Sequence, residues 1–382
     1  MGSGRPERSR RNAGHVRRAL LPPVLVLLIV AAGLVGETAG TFSDQTSVAD
    51  NTFTTASCFF TWWDASYLYR QQVTVTTGAA AVSDGYSVMI TLNHASLVGG
   101  GKSQADGDDV RVLHWDASGC AWSELDRALD EGSTWNSSST KAWVKLQAGI
   151  SASSSDGDYY LYYGNATAAN PPANKSNVYL YWDDFESYST GAAPTGWTAI
   201  SGNHQVVNDG GNKILRATGS VSGRHAIYKT GISEANIRVS AGVRTNDVTN
   251  TNMGPSARVT GTIESNSNYY TFHFRRTDNN DHIAEVLNGT WGSIVSTAQT
   301  VSNNTWYRYD ISAAGSNLKG WYNSTQQLST TDTSISGAGS VGLYNVFGAV
   351  DAADTIDTDN FIARLYVEPE PTTGLGVEQP KP

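Results

Sequence analysis

Apolar and polar residues alternate with a period of two along most of the chain beyond residue 57, the pattern of strands with one face buried. In "YYTFHFRR", Tyr270, Phe272 and Phe274 share one side, and Tyr269, Thr271, His273 and Arg275 the other. "RVSAGVRT" sets Val239, Ala241 and Val243 inward and Arg238 and Arg244 outward. "SARVTGT" does the same with Ala257 and Val259 against Arg258. "WYRYDI" turns Tyr307, Tyr309 and Ile311 in, with Trp306, Arg308 and Asp310 out. "LKGWYN" turns Leu318 and Tyr322 in, with Lys319 and Trp321 out. Helical periodicity is missing after residue 40, so almost no helix is expected there.

Earlier strands are expected in "YLYRQQVTVTT", "YSVMITLNH", "KAWVKLQAGI" and "DGDYYLYYGN", separated by turn residues. The expected class is all-β: two β-sandwich domains after an N-terminal export or anchor helix. The expected order is a leader (1–40), a linker (41–57), a smaller sandwich (58–165), a Pro/Asn/Ala-rich linker (166–177), a two-sheet jelly roll (178–367) and a disordered Pro/Gly-rich tail (368–382).

The leader has a basic start ending in Arg17-Arg18, an apolar run from Ala19 to Val35, and small residues at Thr38-Ala39-Gly40. That is the layout of an export signal. The run is also nearly long enough for an uncleaved membrane anchor, the one membrane attachment the sequence suggests. Residues 1–40 carry six Arg and two Glu, a net of +4. The chain total of −9 therefore leaves −13 on the other 342 residues. Phosphates would be repelled by such a body, which excludes a nucleic-acid partner. Cys58 and Cys120 are the only cysteines. In an exported chain they can form one disulfide closing a loop of about 60 residues, worth ~4 kcal/mol. The alternative is two buried thiols.

Three resemblances rest on particular words. "GETAGTFSDQTSVADNTFTTA" resembles the signal and early mature region of TasA/camelysin-type exported matrix proteins, which implies a dedicated signal peptidase. Trp63, Tyr69-Arg70, "DGDDVR", "WVK" and "YYGN" resemble, in order, a secreted domain-of-unknown-function family (family 2341). "TWYRYDISAAGSNLKGWYN", "SGAGSVGLYN" and the late "DNF" resemble the concanavalin A-like lectin/glucanase (laminin-G-like) jelly roll. That last resemblance implies that an early Phe-Glu and a late Asp share a structural calcium, which places Glu186 and Asp359 as its ligands. Ca²⁺ takes six to eight oxygens, so backbone carbonyls and water would complete the set.

Catalytic words are scarce. Glucanases of the superfamily place paired acids on one strand, as Glu-x-Asp-x-Glu or with one more spacer, and no such word occurs here. Serine nucleophile elbows, HExxH, CxxC and phosphate loops are also missing. If the alternating strands share one sheet, its outer side gathers Arg244, Arg258, His273, Arg275, Arg308 and Trp321, with Trp291 at a hairpin tip. Aromatic rings stack on the C–H faces of sugars, and guanidinium forks bond hydroxyls or carboxylates. The expected partner is a glycan or polysaccharide, and the Arg bank suits an acidic one. The expected role is a carbohydrate-binding or adhesive protein of the cell surface or matrix. A glycan-active hydrolase or lyase, and a structural matrix or appendage protein, are the alternatives.

Overall fold

The structure is a computed structural model that describes residues 60–382. The leader, the 41–57 linker and Cys58 lie outside the described residues, so the expectations placed on them stay as stated. Cys120 is disulfide-bonded.

The first sandwich is built from β1 (Tyr69–Thr76), β2 (Ser87–Leu92), the helix α1 (His94–Gly99), β3 (Arg111–Asp116), β4 (Ala121–Leu125), β5 (Arg127–Leu129), β6 (Thr140–Lys145) and β7 (Ser155–Tyr163). One sheet runs β1-β7-β3-β4 and the other β2-β6-β5. Val73, Val75, Val88, Ile90, Val112, Val144 and Leu161 meet between them as the core. The expected strand at "TLNH" ends early. Asn93 caps a six-residue helix by accepting the Ser96 N–H at 3.1 Å. "DGDDVR" is a turn, as its Asp-Gly content suggests. Asp109 is buried and accepts from Ser103 Oγ (2.7 Å), Gln104 N (2.9 Å) and Gly164 N (2.8 Å).

The second sandwich comprises β8 (Tyr181–Asp183), β9 (Trp197–Ala199), β10 (His204–Asp209), β11 (Asn212–Thr218), β12 (Gly223–Glu234), β13 (Ile237–Thr245), β14 (Thr251–Thr260), β15 (Asn268–Arg275), β16 (Asn280–Leu287), β17 (Thr290–Ala298), β18 (Tyr307–Ala314), β19 (Asn317–Tyr322), β20 (Thr325–Thr331), β21 (Gly339–Phe347) and β22 (Thr355–Leu365). Two antiparallel sheets face each other. The inner sheet runs β10-β11-β22-β13-β18-β19-β20, with β8 beside β22. The outer sheet runs β17-β16-β15-β14-β21-β12-β9. Their facing sides hold Val239, Ala241, Val243, Phe272, Phe274, Tyr309, Ile311 and Leu343 in one core, as the alternation predicts. The all-β jelly-roll architecture is therefore the observed one.

Asp183 fixes the entry to this core. Its carboxylate accepts from Tyr181 Oη, Tyr188 Oη (2.8 Å), Trp197 Nε1 (3.0 Å) and the Phe185 N–H (2.9 Å). These four donors satisfy a buried acid and hold Phe185 in the core at φ 59°.

Two expected boundaries change. Residues 166–177 are packed against the first sandwich: Arg111 Nη2 donates to Ala169 O (2.9 Å) and Arg127 N to Pro172 O (3.0 Å). The tail is ordered. β23 (Thr372–Leu375) and β24 (Gln379–Pro380) add to the free edge of β1, pairing Val73 with Leu375 and Arg70 with Gln379. An unpaired strand edge overrides the composition of the tail, because main-chain pairing does not depend on side-chain type. Tail side chains reinforce the pairing, with Glu378 on Lys102 (2.5 Å) and on Tyr163 Oη (2.8 Å).

Candidate functional site

The side of the inner sheet turned away from the jelly-roll core packs on the small sandwich. Asp310 lies at its centre, buried, with Arg238 at 2.5 Å and Arg308 at 3.2 Å. Arg308 continues to Glu131 of the small sandwich at 2.7 Å. Burial alone would push the Asp310 carboxyl up, but Arg308 and Arg238 hold it below the ordinary range. The Arg364 guanidinium lies 4.5 Å over the Trp143 ring and pairs with Glu370. The Arg238 guanidinium lies 3.8 Å over Trp321, which is buried.

The outer side of the outer sheet carries a different set. His273 stacks on His282 (5.9 Å, 19° between planes) and touches Tyr344 at 4.6 Å and Trp291 at 6.1 Å. Arg275 lies 4.6 Å over the Trp291 ring and pairs with Asp278 at 2.9 Å. Tyr269 packs beside Tyr344, and Arg224 lies 5.7 Å over the Tyr344 ring. An Asn288-Gly289 turn, both residues at positive φ, closes the β16–β17 hairpin and presents Trp291. Opposite Tyr344 stands Gly254. A Cβ there would lie 2.1 Å from Phe272 O, so this central position admits no side chain.

Several polar atoms in this layer have no hydrogen-bond partner among the described residues. They are Tyr269 Oη, His273 Nε2, Trp291 Nε1, Ser256 Oγ and Arg224 Nε. A buried polar group without a partner costs about 1–3 kcal/mol, so a concentration of them on one face is informative. Burial, with His282 and Arg275 adding to it, holds the His273 imidazole well below its ordinary range. It is therefore neutral near pH 7, with one ring nitrogen free to donate or accept. Burial likewise pushes the Tyr269 phenol up, which keeps it a donor. Trp291 and Arg275 are the partly exposed members of this set, and Tyr269, His273, Tyr344 and Ser256 lie buried beneath them.

The expected ligand-binding residues thus divide among three places. His273, Arg275 and Trp291 meet on the outer sheet. Arg244, Arg308 and Trp321 belong to the inner sheet, where Arg244 pairs with Asp357 (2.6 Å) and Asp209 (2.8 Å). Arg258 lies on neither outward face. It is fully buried and donates to the carbonyls of Ala235 (2.6 Å), Ile335 (2.6 Å) and Gly315 (2.7 Å). The cause is a β-bulge: register shifts after Ala257, and Arg258 takes φ 54°. The same bulge sends Val259 to the outer-face cluster instead of the core. A single shared sheet is corrected to two, since alternation assigns a side and not a sheet. Tyr269, Tyr344 and Arg224 were not singled out as site residues. Only the outward side of "YYTFHFRR", with Tyr269 in it, pointed that way.

Glu186 and Asp359 are close enough to influence each other. Burial raises the Asp359 carboxyl, opposed by donors from Asn212 and Asn360, and Asp184 and Glu186 raise it further. Each also has a donor already: Lys213 N on Glu186 (2.7 Å) and Asn212 Nδ2 on Asp359 (3.0 Å). Among the described residues no group of three or more His, Cys, Asp or Glu gathers as a metal site. The residues present fall short of a calcium cage by themselves.

Comparison with known proteins finds a family match over part of the chain. Residues 106–200 match the family described as "Domain of unknown function (DUF2341)". The DUF2341 match includes "DGDDVR", "WVK" and "YYGN" and runs into the start of the jelly roll. No curated protein matches the sequence. Among solved structures, similar chains include the carbohydrate binding module CBM66 from Bacillus subtilis (17% identity, 44% of this chain and 96% of that one, TM-score 0.37). A Bacillus subtilis protein of unknown function with a galectin-like fold shows 11% identity, covering 50% and 96%, with a TM-score of 0.40. A Bacillus licheniformis beta-glucanase shows 10% identity, covering 48% and 97%, with a TM-score of 0.37.

Proposed function

We propose that this protein binds carbohydrate on the outer face of the outer sheet, around Trp291, His273, Arg275, Tyr269 and Tyr344. The supporting observation is the partly exposed pair of Trp291 and Arg275, the guanidinium 4.6 Å over the ring, seated on a buried aromatic layer. Sugars present the complements, an apolar C–H face for the Trp291 ring and oxygen acceptors for the Arg275 guanidinium. With Arg224 and Arg275 on this face, a uronate- or sulfate-bearing glycan is the favoured class, because guanidinium forks bond such anions. An exported, cell-surface or matrix location belongs to the same proposal and rests on the leader's sequence. Among the described residues no helix is long and apolar enough to cross a membrane.

The test is a glycan array with the full chain and its Trp291→Ala/Arg275→Ala variant. Loss of signal in the variant supports the site, and an unchanged signal rejects it. Structural calcium held by Glu186 and Asp359 is a separate proposal, favoured by the like charges around Asp359. A melting midpoint unmoved by chelation and calcium add-back would reject it.

A further inference from the structure

A crevice of about 570 Å3 opens between the two sandwiches, on the opposite side of the jelly roll from the face just described. Arg308, Gly242 and Asp359 stand side by side on three adjacent strands, β18, β13 and β22, and form one wall. Strand spacing puts the two outer positions about 10 Å apart. Glu131 of the small sandwich closes the other side through its ion pair with Arg308. Trp306 projects into the opening with 38% of its surface exposed. It rests over Gly242 and is held by the Arg244 guanidinium 4.7 Å above its ring. Arg244 is itself fixed by Asp357 and Asp209. Tyr307, Asn323, Ser324 and Asn360 also line it, the last at φ 48°.

We propose that this crevice is a second saccharide site, built from both sandwiches and selective for neutral sugars. Trp306 stacks on the pyranose ring, and Glu131 and Asp359 accept hydrogen bonds from sugar hydroxyls. The volume is within the range of small-ligand sites. The chemistry also sets the class of ligand. The Arg308 guanidinium is shared by two carboxylates, Glu131 and Asp310, so it brings no net positive charge to the opening. The Asp359 carboxylate, with Asp184 and Glu186 as like charges near it, repels a uronate or sulfate and rewards hydroxyls. The site is independent of the outer-sheet face, which holds the arginines suited to acidic glycans.

Isothermal titration of the full chain with neutral hexasaccharides (β-1,4-gluco, β-1,3-gluco, manno and xylo series) tests this. At least one should bind. Trp306→Ala should weaken that binding tenfold or more, while Trp306→Phe should stay within about threefold of the parent, because a phenyl ring still stacks. Trp306 is partly exposed, so neither change threatens the fold. Trp291→Ala/Arg275→Ala should leave the binding alone. Absence of binding across the series, or equal binding by Trp306→Ala, overturns the proposal. Loss on Trp291→Ala/Arg275→Ala with none on Trp306→Ala would overturn it while leaving the outer-sheet site standing.

Discussion

Glu131 Oε2 lies 2.7 Å from Arg308 Nη1, and this ion pair joins the small sandwich to the jelly roll. Behind it, Asp310 serves both Arg308 and Arg238. The two acids should differ in weight. Asp310 is almost fully buried, so Asp310→Ala leaves two guanidiniums short of a counter-charge and should cost about 3–5 kcal/mol. Glu131 is partly exposed, so Glu131→Gln should cost about 1 kcal/mol or less. Urea unfolding of both variants checks the ranking. Equal losses would mean the interface is not organised around Asp310.

Arg258 is predicted to matter for folding alone. Its guanidinium satisfies three carbonyls, and lysine cannot reach all of them. Arg258→Lys should lower stability by roughly 3 kcal/mol, from the carbonyls left without partners. Glycan specificity of the folded fraction should be unchanged. Altered specificity would return Arg258 to the ligand site.

A pH effect should come from Asp281. Burial raises its carboxyl to about 6, partly offset by donors from Gln299 and Tyr309. The unfolded chain releases this proton near the ordinary carboxylate value of about 3.9. Between the two values the folded state holds more protons, so this group's contribution falls as pH rises through about 4 to 6. Asp281→Asn removes that fall. The variant should gain on the parent by roughly 2 kcal/mol between pH 4 and pH 7. A constant difference across that range in denaturation midpoints would contradict the assignment.

The tail gives a fourth outcome. Truncation after Pro371 removes β23 and β24 and bares the edge of β1. The truncated protein should melt lower and self-associate as concentration rises, because a bare edge pairs with other chains. Size-exclusion chromatography and a melting scan read both effects. A monomer with unchanged melting would show the tail strands to be incidental.

Much of the fold was legible because alternation reports burial directly. Val239, Val243, Phe272, Phe274, Tyr309 and Leu318 all sit in the core as the pattern predicts. Sheet membership was not legible. The outward sides of β13 and β15 look alike in sequence, yet the strands belong to opposite sheets. Nor could the bulge at Arg258 be read, since one extra residue reverses the alternation without any change in composition. The tail failed as an expectation for a related reason: its partner, the β1 edge, is some 300 residues away in sequence.

The central claim is that the outer-sheet face binds glycan. Its most direct measurement is the affinity of the full chain for an acidic oligosaccharide, such as a hexauronate, compared with the Trp291→Ala/Arg275→Ala variant. The account predicts binding that drops at least tenfold in that variant and is untouched by Trp306→Ala. Equal affinity in parent and outer-face variant, or no binding to any acidic or neutral glycan tested, would contradict it.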